Sequence, residues 1–270
     1  MGSGKRSPQK YSSTLERGMR VLRAFQFGDH GLSNQELSER TGIPKSTISR
    51  LTFTLLELGF LAHASRNDKF RPGPGLLALG QVANDAMPFV QQNRECFQKI
   101  ADDTNSLVLM LAREDNALMI ISAVRPTGRV GRTFDVGHRL PLVGSSSGHA
   151  FMATMEDAEF ETLLPDLVEE YKTPEDQIRS LRAKAAEDIF NHGFHFAPTE
   201  GYFNTIIKAV ATTLYSRDLA QQVAISCVVG RNARSDAELS EFVGPKMLRE
   251  LDGEHQSLNF LDLSASHQSV

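Results

Sequence analysis

Between Leu32 and Leu61 the chain reads LSNQELSERTGIPKSTISRLTFTLLELGFL, a pattern that calls for two helices joined by a tight turn. Ser33 and Glu36, three positions apart, form a capping box in which hydroxyl and carboxylate each satisfy an orphaned N–H of the first turn. Leu37 and Thr41 mark one face, and Gly42 supplies the left-handed residue that closes the helix. Pro44 opens the next helix, where the missing N–H costs nothing. Ile48, Leu51, Leu55 and Leu58 then recur at helical spacing as one buried stripe.

At about 100° per residue, the opposite face of the first two turns carries Ser46, Ser49 and Arg50, flanked by Lys45 and Thr47. Short hydroxyl donors beside cations suit phosphates and base edges. Farther along, the same face carries Phe53 and Glu57, and a phosphate backbone repels a carboxylate, so only the start of this helix is expected to enter a groove. Two helices with a glycine turn also occur in many all-helical domains, and the flanking sequence separates the two readings. Thr14 precedes Leu15, Met19, Leu22 and Phe25, a third helix able to cover the other two. Downstream, residues Phe60 to Ala64 and Lys69 to Arg71 alternate around a polar SRND turn as a hairpin, which Arg66, Lys69 and Arg71 load with positive charge. Three helices and a basic hairpin describe a winged helix-turn-helix. Its candidate DNA contacts are Ser33, Lys45, Ser46, Thr47, Ser49, Arg50, Arg66 and Lys69.

The charge distribution agrees with that reading. The whole chain of 270 residues has a net charge of −4, but residues 1–75 hold 12 Lys and Arg against 6 Asp and Glu. The remainder holds 17 against 27. A basic N-terminal quarter on an acidic body fits a DNA reader joined to a domain that does not touch DNA. Cys96 and Cys227 stand far apart and outside any C-x-x-C arrangement, so neither a disulfide framework nor a zinc site is expected, and a reducing cytoplasm is the expected location. The longest apolar run, Ala117 to Val124, is interrupted by Ser122 and falls short of the ~20 residues a bilayer needs. Residues 1–13 are polar, charged and without a signal-peptide core, and are expected to be a disordered tail.

The DNA-binding domain is expected over residues 14–75 and a linker helix over 76–87, after RPGPG turns the chain. Residues 88–255 read as a second domain: a helix from Pro88 to about Thr104, a buried hairpin of LVLMLA and ALMIISAV, and a strand from Arg132 to Val136. LPL then leads through GSSSG into a short helix. An amphipathic helix follows from Pro174 to Asn191, then strands over Phe194–Phe196, Ile206–Tyr215 and Gln222–Val229, and a last helix over Asp236–Leu251. Residues 256–270 read as a disordered tail. The expected fold class is α+β, with a mainly antiparallel sheet flanked by helices.

TLERGMRVLRAF, the Leu32–Leu61 stretch and FRPGPGLLALG together resemble the DNA-binding half of the IclR family of bacterial transcription regulators, from Thr14 to Gly80. RLPLVGSSSGHAFMA, NHGF, VATTLYSRD and VAISCVVG resemble the family's second half more loosely. The resemblance implies a winged helix, a linker helix and a GAF-like effector domain that binds a small metabolite. It also implies homodimers or homotetramers acting on operator DNA of catabolic operons.

Ser145, Ser146 and Ser147 stand where a strand hands over to a helix, so their N–H groups and hydroxyls can hold an anion, most simply a carboxylate. The same residues also suit a plain helix cap. By resemblance the candidate ligand set is Ser145, Ser146, Ser147, His195, Tyr202, Ala209 and Ser226. The chain departs from the family at several of these places. Ser146 and Ser147 replace a common Gly-Ala pair, His149 stands where lysine is usual, and Val228 replaces the second serine of an S-x-S strand. The acidic residues usual after the G-F step give way to His195, Phe196, Ala197 and Pro198, with a small insertion over Glu200 to Asn204. These departures point away from the smallest keto acids. Phe196, Tyr202 and Phe203 suit a larger or aromatic molecule, although each also suits a core.

Catalysis is not expected. Gly144, Ser146 and Gly148 formally fit a nucleophile elbow, but RLPLV is a short, proline-interrupted strand outside any alternating βα order. His192 and His195 have H-x-x-H spacing without a third ligand, so no metal and no cofactor are expected. The expected function is a ligand-responsive repressor. The alternatives are a constitutive DNA binder whose second domain only oligomerises, and an enzyme with a DNA-binding head.

Overall fold

The computed structural model describes residues 11–64, 68–131, 134–197, 202–216, 219–253 and 260–261. The chain divides into two compact units, Met1–Ala86 and Met87–Val270. Expectations for residues 1–10, for Arg66 and the rest of 65–67, for 132–133, for 198–201 and for most of the tail fall outside the described residues.

In the first unit, α1 (Ser13–Arg23) starts at a Ser12 cap. It is followed by β1 (Leu32–Ser33), α2 (Asn34–Thr41), α3 (Lys45–Glu57), β2 (Leu61–His63) and β3 (Lys69–Pro72). The expected capping box of Ser33 and Glu36 is formed, and Gly42 ends α2 at φ 69°. The hairpin is present, but its third strand was not foreseen: β1 pairs with β3, giving the antiparallel order β1-β3-β2. Val21, Leu37, Ile48, Leu55, Leu61 and Phe70 form the core.

Two expectations are corrected in this core. Leu58 is 61% exposed, because it caps the C-terminus of α3 and so drops out of the Ile48–Leu55 stripe. Leu15 and Met19 are also exposed, and α1 covers its neighbours through Val21, with Leu22 and Phe25 packed alongside as expected. At the exit of the hairpin a Cβ on Gly73 would lie 2.4 Å from the Gly59 carbonyl oxygen, so the chain crosses itself where only glycine fits. The next helix, α4 (Pro74–Asp85), begins at its proline, two residues before the expected start, and leaves Leu77, Leu79 and Val82 exposed.

The second unit is built on one antiparallel sheet. Its strands are β4 (Leu107–Glu114), β5 (Ala117–Val124), β6 (Arg139–Pro141), β7 (His195–Phe196), β8 (Ile207–Ser216), β9 (Gln221–Gly230) and β10 (Phe260–Leu261). The order is β10-β8-β9-β4-β5-β6, with β7 also paired to β8. Both faces are covered, so the central strands are apolar at successive positions rather than alternating.

One face packs Val108, Met110, Val223, Ile225 and Cys227 against α5 (Pro88–Gln92), α6 (Arg94–Thr104) and a C-terminal helical run. That run comprises α10 (Asp236–Glu238), a π-helical turn over Leu239–Val243, and α11 (Gly244–Gly253). The other face packs Leu109, Leu111, Ala209, Ala224 and Val228 against α7 (Ser146–Ala153), α8 (Asp157–Tyr171) and α9 (Glu175–His192).

Several details differ from the sequence reading. The helix expected from Pro88 is broken at Asn93. The strand expected over 132–136 is not formed at its described end: Phe134 has φ 56°, Val136–Gly137 turn, and the strand lies at β6 instead. Helix α8 was not foreseen at all, since Pro165 in its interior reads as a breaker. Within the expected disordered tail, Phe260 and Leu261 pair with Ser216 and Tyr215.

Candidate functional site

Two sets of residues carry chemistry, one in each unit. On α3, Ile48, Thr52 and Leu55 are buried, while Lys45, Ser46, Ser49 and Arg50 are exposed and Thr47 is half-buried. Helix α3 is held to α2 by a joint the sequence reading missed: the Thr52 hydroxyl donates to Asn34 Oδ1 at 3.0 Å. Ser38 adds a second tie across the turn, its hydroxyl donating to the Ile43 carbonyl at 2.6 Å. Among the described residues the Lys45 and Arg50 side chains enter no ion pair, and this leaves two cations and two hydroxyls on one rigid face.

Of the other candidates on this unit, Ser33 and Lys69 are already engaged. The Ser33 hydroxyl accepts from the Glu36 N–H at 3.2 Å, and Lys69 Nζ lies 2.9 Å from Glu36 Oε1. Hydrogen bonds from Lys69 and from the Ser33 N–H and hydroxyl hold the Glu36 carboxyl down at about 2. Lys69 therefore shares its charge with an acidic neighbour, and Ser33 acts first as a cap.

In the second unit the strand-to-helix turn is organised by its serines. Ser145 caps α7, accepting from the Gly148 N–H at 3.0 Å and donating to the Pro141 carbonyl at 2.6 Å. A Cβ on Gly148 would lie 2.2 Å from the Leu142 carbonyl oxygen, so the turn closes only with glycine there. The Ser146 hydroxyl donates to the Ala209 carbonyl at 2.6 Å and accepts from the Ala197 N–H at 3.1 Å. Because His195 pairs with Ala211 and Phe196 with Val210, this hydroxyl stands between the next two partners of the β7–β8 ladder. It is consumed by the fold. The Ser146 N–H is at the start of α7, where a helix supplies no acceptor, and meets the Tyr202 hydroxyl at 3.5 Å.

The structure thus joins Ser145, Ser146, Tyr202 and Ala209 into one cradle. Ser147 lies buried beside them. Ser226 projects from β9 to the sheet face that α7 covers, between Ala224 and Val228. Ser226 is 0% exposed, and among the described residues its Oγ has no hydrogen-bond partner. A buried hydroxyl without a partner is costly unless something else supplies one.

His195 enters through a relay that the sequence reading did not find. The Gly144 N–H donates to His149 Nε2 at 3.0 Å, His149 Nδ1 lies 3.3 Å from His195 Nε2, and His195 Nδ1 lies 2.8 Å from Asp188 Oδ2. Lys184 Nζ lies 3.0 Å from the other Asp188 oxygen. Burial, and then the neighbouring His195, hold His149 down at about 3. Burial also lowers His195, against the opposing pull of Asp188. The one sequence signal was Asp188, which precedes His195 by a single helix end and the left-handed Gly193.

The aromatic expectations divide. Tyr202 and Phe203 lie ring to ring at 5.3 Å, and Phe134 meets Phe203 edge-on at 6.2 Å. Phe134 was not singled out in the sequence. Phe196 is corrected: it packs into the cluster on the opposite sheet face, away from the cradle. Among the described residues, no group of three or more His, Cys, Asp or Glu is arranged to hold a metal ion, and no helix is long and apolar enough to cross a membrane.

Two family models match the chain: the IclR helix-turn-helix domain over residues 14–65 and the bacterial transcriptional regulator IclR C-terminal domain over residues 81–249. The chain is similar to the Pca regulon regulatory protein of Pseudomonas putida, with 25% identity over 84% of this chain and 78% of that protein. It is also similar to the HTH-type transcriptional regulator TsaQ1/TsaQ2 of Comamonas testosteroni, with 26% identity over 67% of this chain and 66% of that protein, just under two thirds of its length. Among solved structures it resembles an IclR family transcriptional regulator from Brucella abortus, with 26% identity, a TM-score of 0.83 and 96% of each chain covered. An IclR homolog from Microbacterium hydrocarbonoxydans complexed with 4-hydroxybenzoate shares the fold at 20% identity and a TM-score of 0.64, over 89% of this chain and 100% of that one.

Proposed function

Since the chain belongs to the IclR family of bacterial transcriptional regulators, we propose that it is an effector-responsive repressor of a catabolic operon. The observation that carries this reading is the exposed face of α3, where Lys45, Ser46, Ser49 and Arg50 have no side-chain partner among the described residues, on a helix braced from behind by Thr52 and Asn34. Two copies present these faces to half-sites of a near-palindromic operator, as paired recognition helices do. The exposed Leu77, Leu79 and Val82 of α4 support such pairing, because they are apolar and bare in the single chain. The assembly is a homodimer or a homotetramer, and doubling the dimer leaves the half-site unchanged. The regulator acts in the cytoplasm, on the nucleoid when bound. Residues 14–75 form its DNA-binding domain and 88–255 its effector domain.

The effector we assign is a small organic acid with an aromatic ring. The first N–H groups of α7 suit its carboxylate, the orphaned Ser226 hydroxyl awaits a polar partner, and Tyr202, Phe203 and Phe134 supply rings. The ligand shifts operator affinity only as far as it prefers one arrangement of the dimer over another. A gel-shift titration of the duplex upstream of the gene, repeated with a panel of benzoate-type and aliphatic acids, tests both halves. Operator binding that no acid changes, together with no thermal stabilisation by any acid, favours a constitutive DNA binder instead.

A further inference from the structure

We propose that Phe53 is a base-reading residue, its ring packing on the 5-methyl group of a thymine in the major groove. The proposal rests on the DNA-binding reading of α3 and extends its working surface by one turn.

Phe53 is 64% exposed in the middle of a helix whose other large apolar residues serve the core. At about 100° per residue, Ser46, Ser49, Arg50 and Phe53 fall within one sector of roughly 100°. Ile48, Thr52 and Leu55, the buried residues of α3, lie on the other side. The four exposed positions have the spacing i, i+3, i+4, i+7, which is the spacing at which homeodomain recognition helices contact bases from within the major groove. Phe53 lies about 10 Å along the axis from Ser46, so a helix that enters the groove at Lys45 still has Phe53 inside it. Glu57 falls on the same side one turn farther on and is exposed. Its carboxylate faces the phosphates unless the helix has left the groove by then, which makes Phe53 the last residue in reach.

The chemistry then selects the partner. A phenyl ring offers neither donor nor acceptor, and the thymine methyl is the apolar feature that the major-groove edge presents for side-chain contact. Bracketing the ring with Arg50 and Ser49 fits a surface that meets phosphates and base edges around one methyl. It fits a copy-to-copy contact poorly, since the core of such a contact is depleted in charge.

The test uses the full-length protein and a duplex it selects itself from a library with a randomised centre. Each thymine of the selected half-site is then replaced by uracil, which lacks the methyl. One replacement should weaken the parent protein about fourfold, the worth of one buried methyl. Phe53→Ala should bind the thymine duplex more weakly and bind both duplexes alike, while Phe53→Leu should keep part of the discrimination. If no uracil replacement weakens binding, or if Phe53→Ala keeps the full thymine preference, the proposal is overturned. It is equally overturned if Phe53→Ala alters self-association and leaves DNA affinity unchanged. Should the parent protein select no sequence at all, the DNA-binding reading falls with it, so the two failures are distinct.

Discussion

His149 Nδ1 lies 3.3 Å from His195 Nε2, and the groups on either side fix the proton on every nitrogen of the pair. Gly144 donates its N–H to His149 Nε2, so the proton of His149 is on Nδ1 and is given to His195 Nε2. The proton of His195 is therefore on Nδ1, where the Asp188 carboxylate accepts it. Both rings are neutral and both are buried, at 3% and 1% exposure. Gly144 in turn accepts from the Phe203 N–H at 2.9 Å, so the relay runs from α9 to the loop that carries the cradle's rings.

This relay makes stability depend on pH with a definite sign. Burial holds His149 at about 3 and lowers His195, whereas unfolded histidine takes up its proton near 6.5. The unfolded state thus binds more protons below about pH 6.5, and stability, full above that value, falls as pH drops from there toward about 3. Thermal midpoints measured between pH 8 and pH 5 should decline for the parent protein and decline less for His149→Gln. Equal slopes would remove His149 from the relay's energetics.

Ser226→Ala should separate ligand binding from folding. Removing a buried hydroxyl that has no partner should leave the thermal midpoint unchanged or raise it, since about 1–3 kcal/mol of desolvation penalty is relieved. Stabilisation by the effector should fall at the same time. A clear loss of stability without ligand would show that the hydroxyl already has a partner.

Ser33→Ala should weaken α2 by about 1 kcal/mol, the usual worth of such a cap. The variant removes the hydroxyl that accepts the Glu36 N–H, while the Glu36 carboxylate keeps the backbone N–H of residue 33 and Lys69. Chemical denaturation followed by a probe in the first unit should show the midpoint shift, while a probe in the second unit should not. A shift in both would mean that the units unfold together.

Lys45→Ala should weaken binding to all duplexes alike and reduce the slope of log affinity against log salt by about one, as expected of a phosphate contact. An unchanged slope would take Lys45 off the backbone.

The most local parts of the molecule were legible in sequence. The capping box, the Gly42 turn and the basic start of α3 each depend on residues within a few positions of one another. What escaped depends on distant residues. Strand β1 is two residues long, too short to show a period, and exists because Leu32 meets Phe70. Helix α8 was hidden by Pro165, whose local signal is the opposite of its setting. Phe196 was placed on the wrong side because only the register of β7 on β8 decides which way a strand residue faces. Lys69 looked like free positive charge until the fold brought Glu36 to it across 33 positions. Ser146 lies at the strand-to-helix turn, but its hydroxyl is spent on the Ala197–Ala209 gap and its N–H meets the Tyr202 hydroxyl, all of these partners lying more than 50 positions away.

If the start of α3 reads operator bases, as we propose, the loss of Arg50 must show in sequence discrimination. Full-length protein and Arg50→Ala should be titrated in gel shift against the duplex selected by the parent and against a scrambled duplex of equal length. Arg50→Ala should lose about 1–3 kcal/mol of discrimination between the two while keeping its weak, salt-sensitive binding to both. Discrimination equal to that of the parent would contradict that reading of α3.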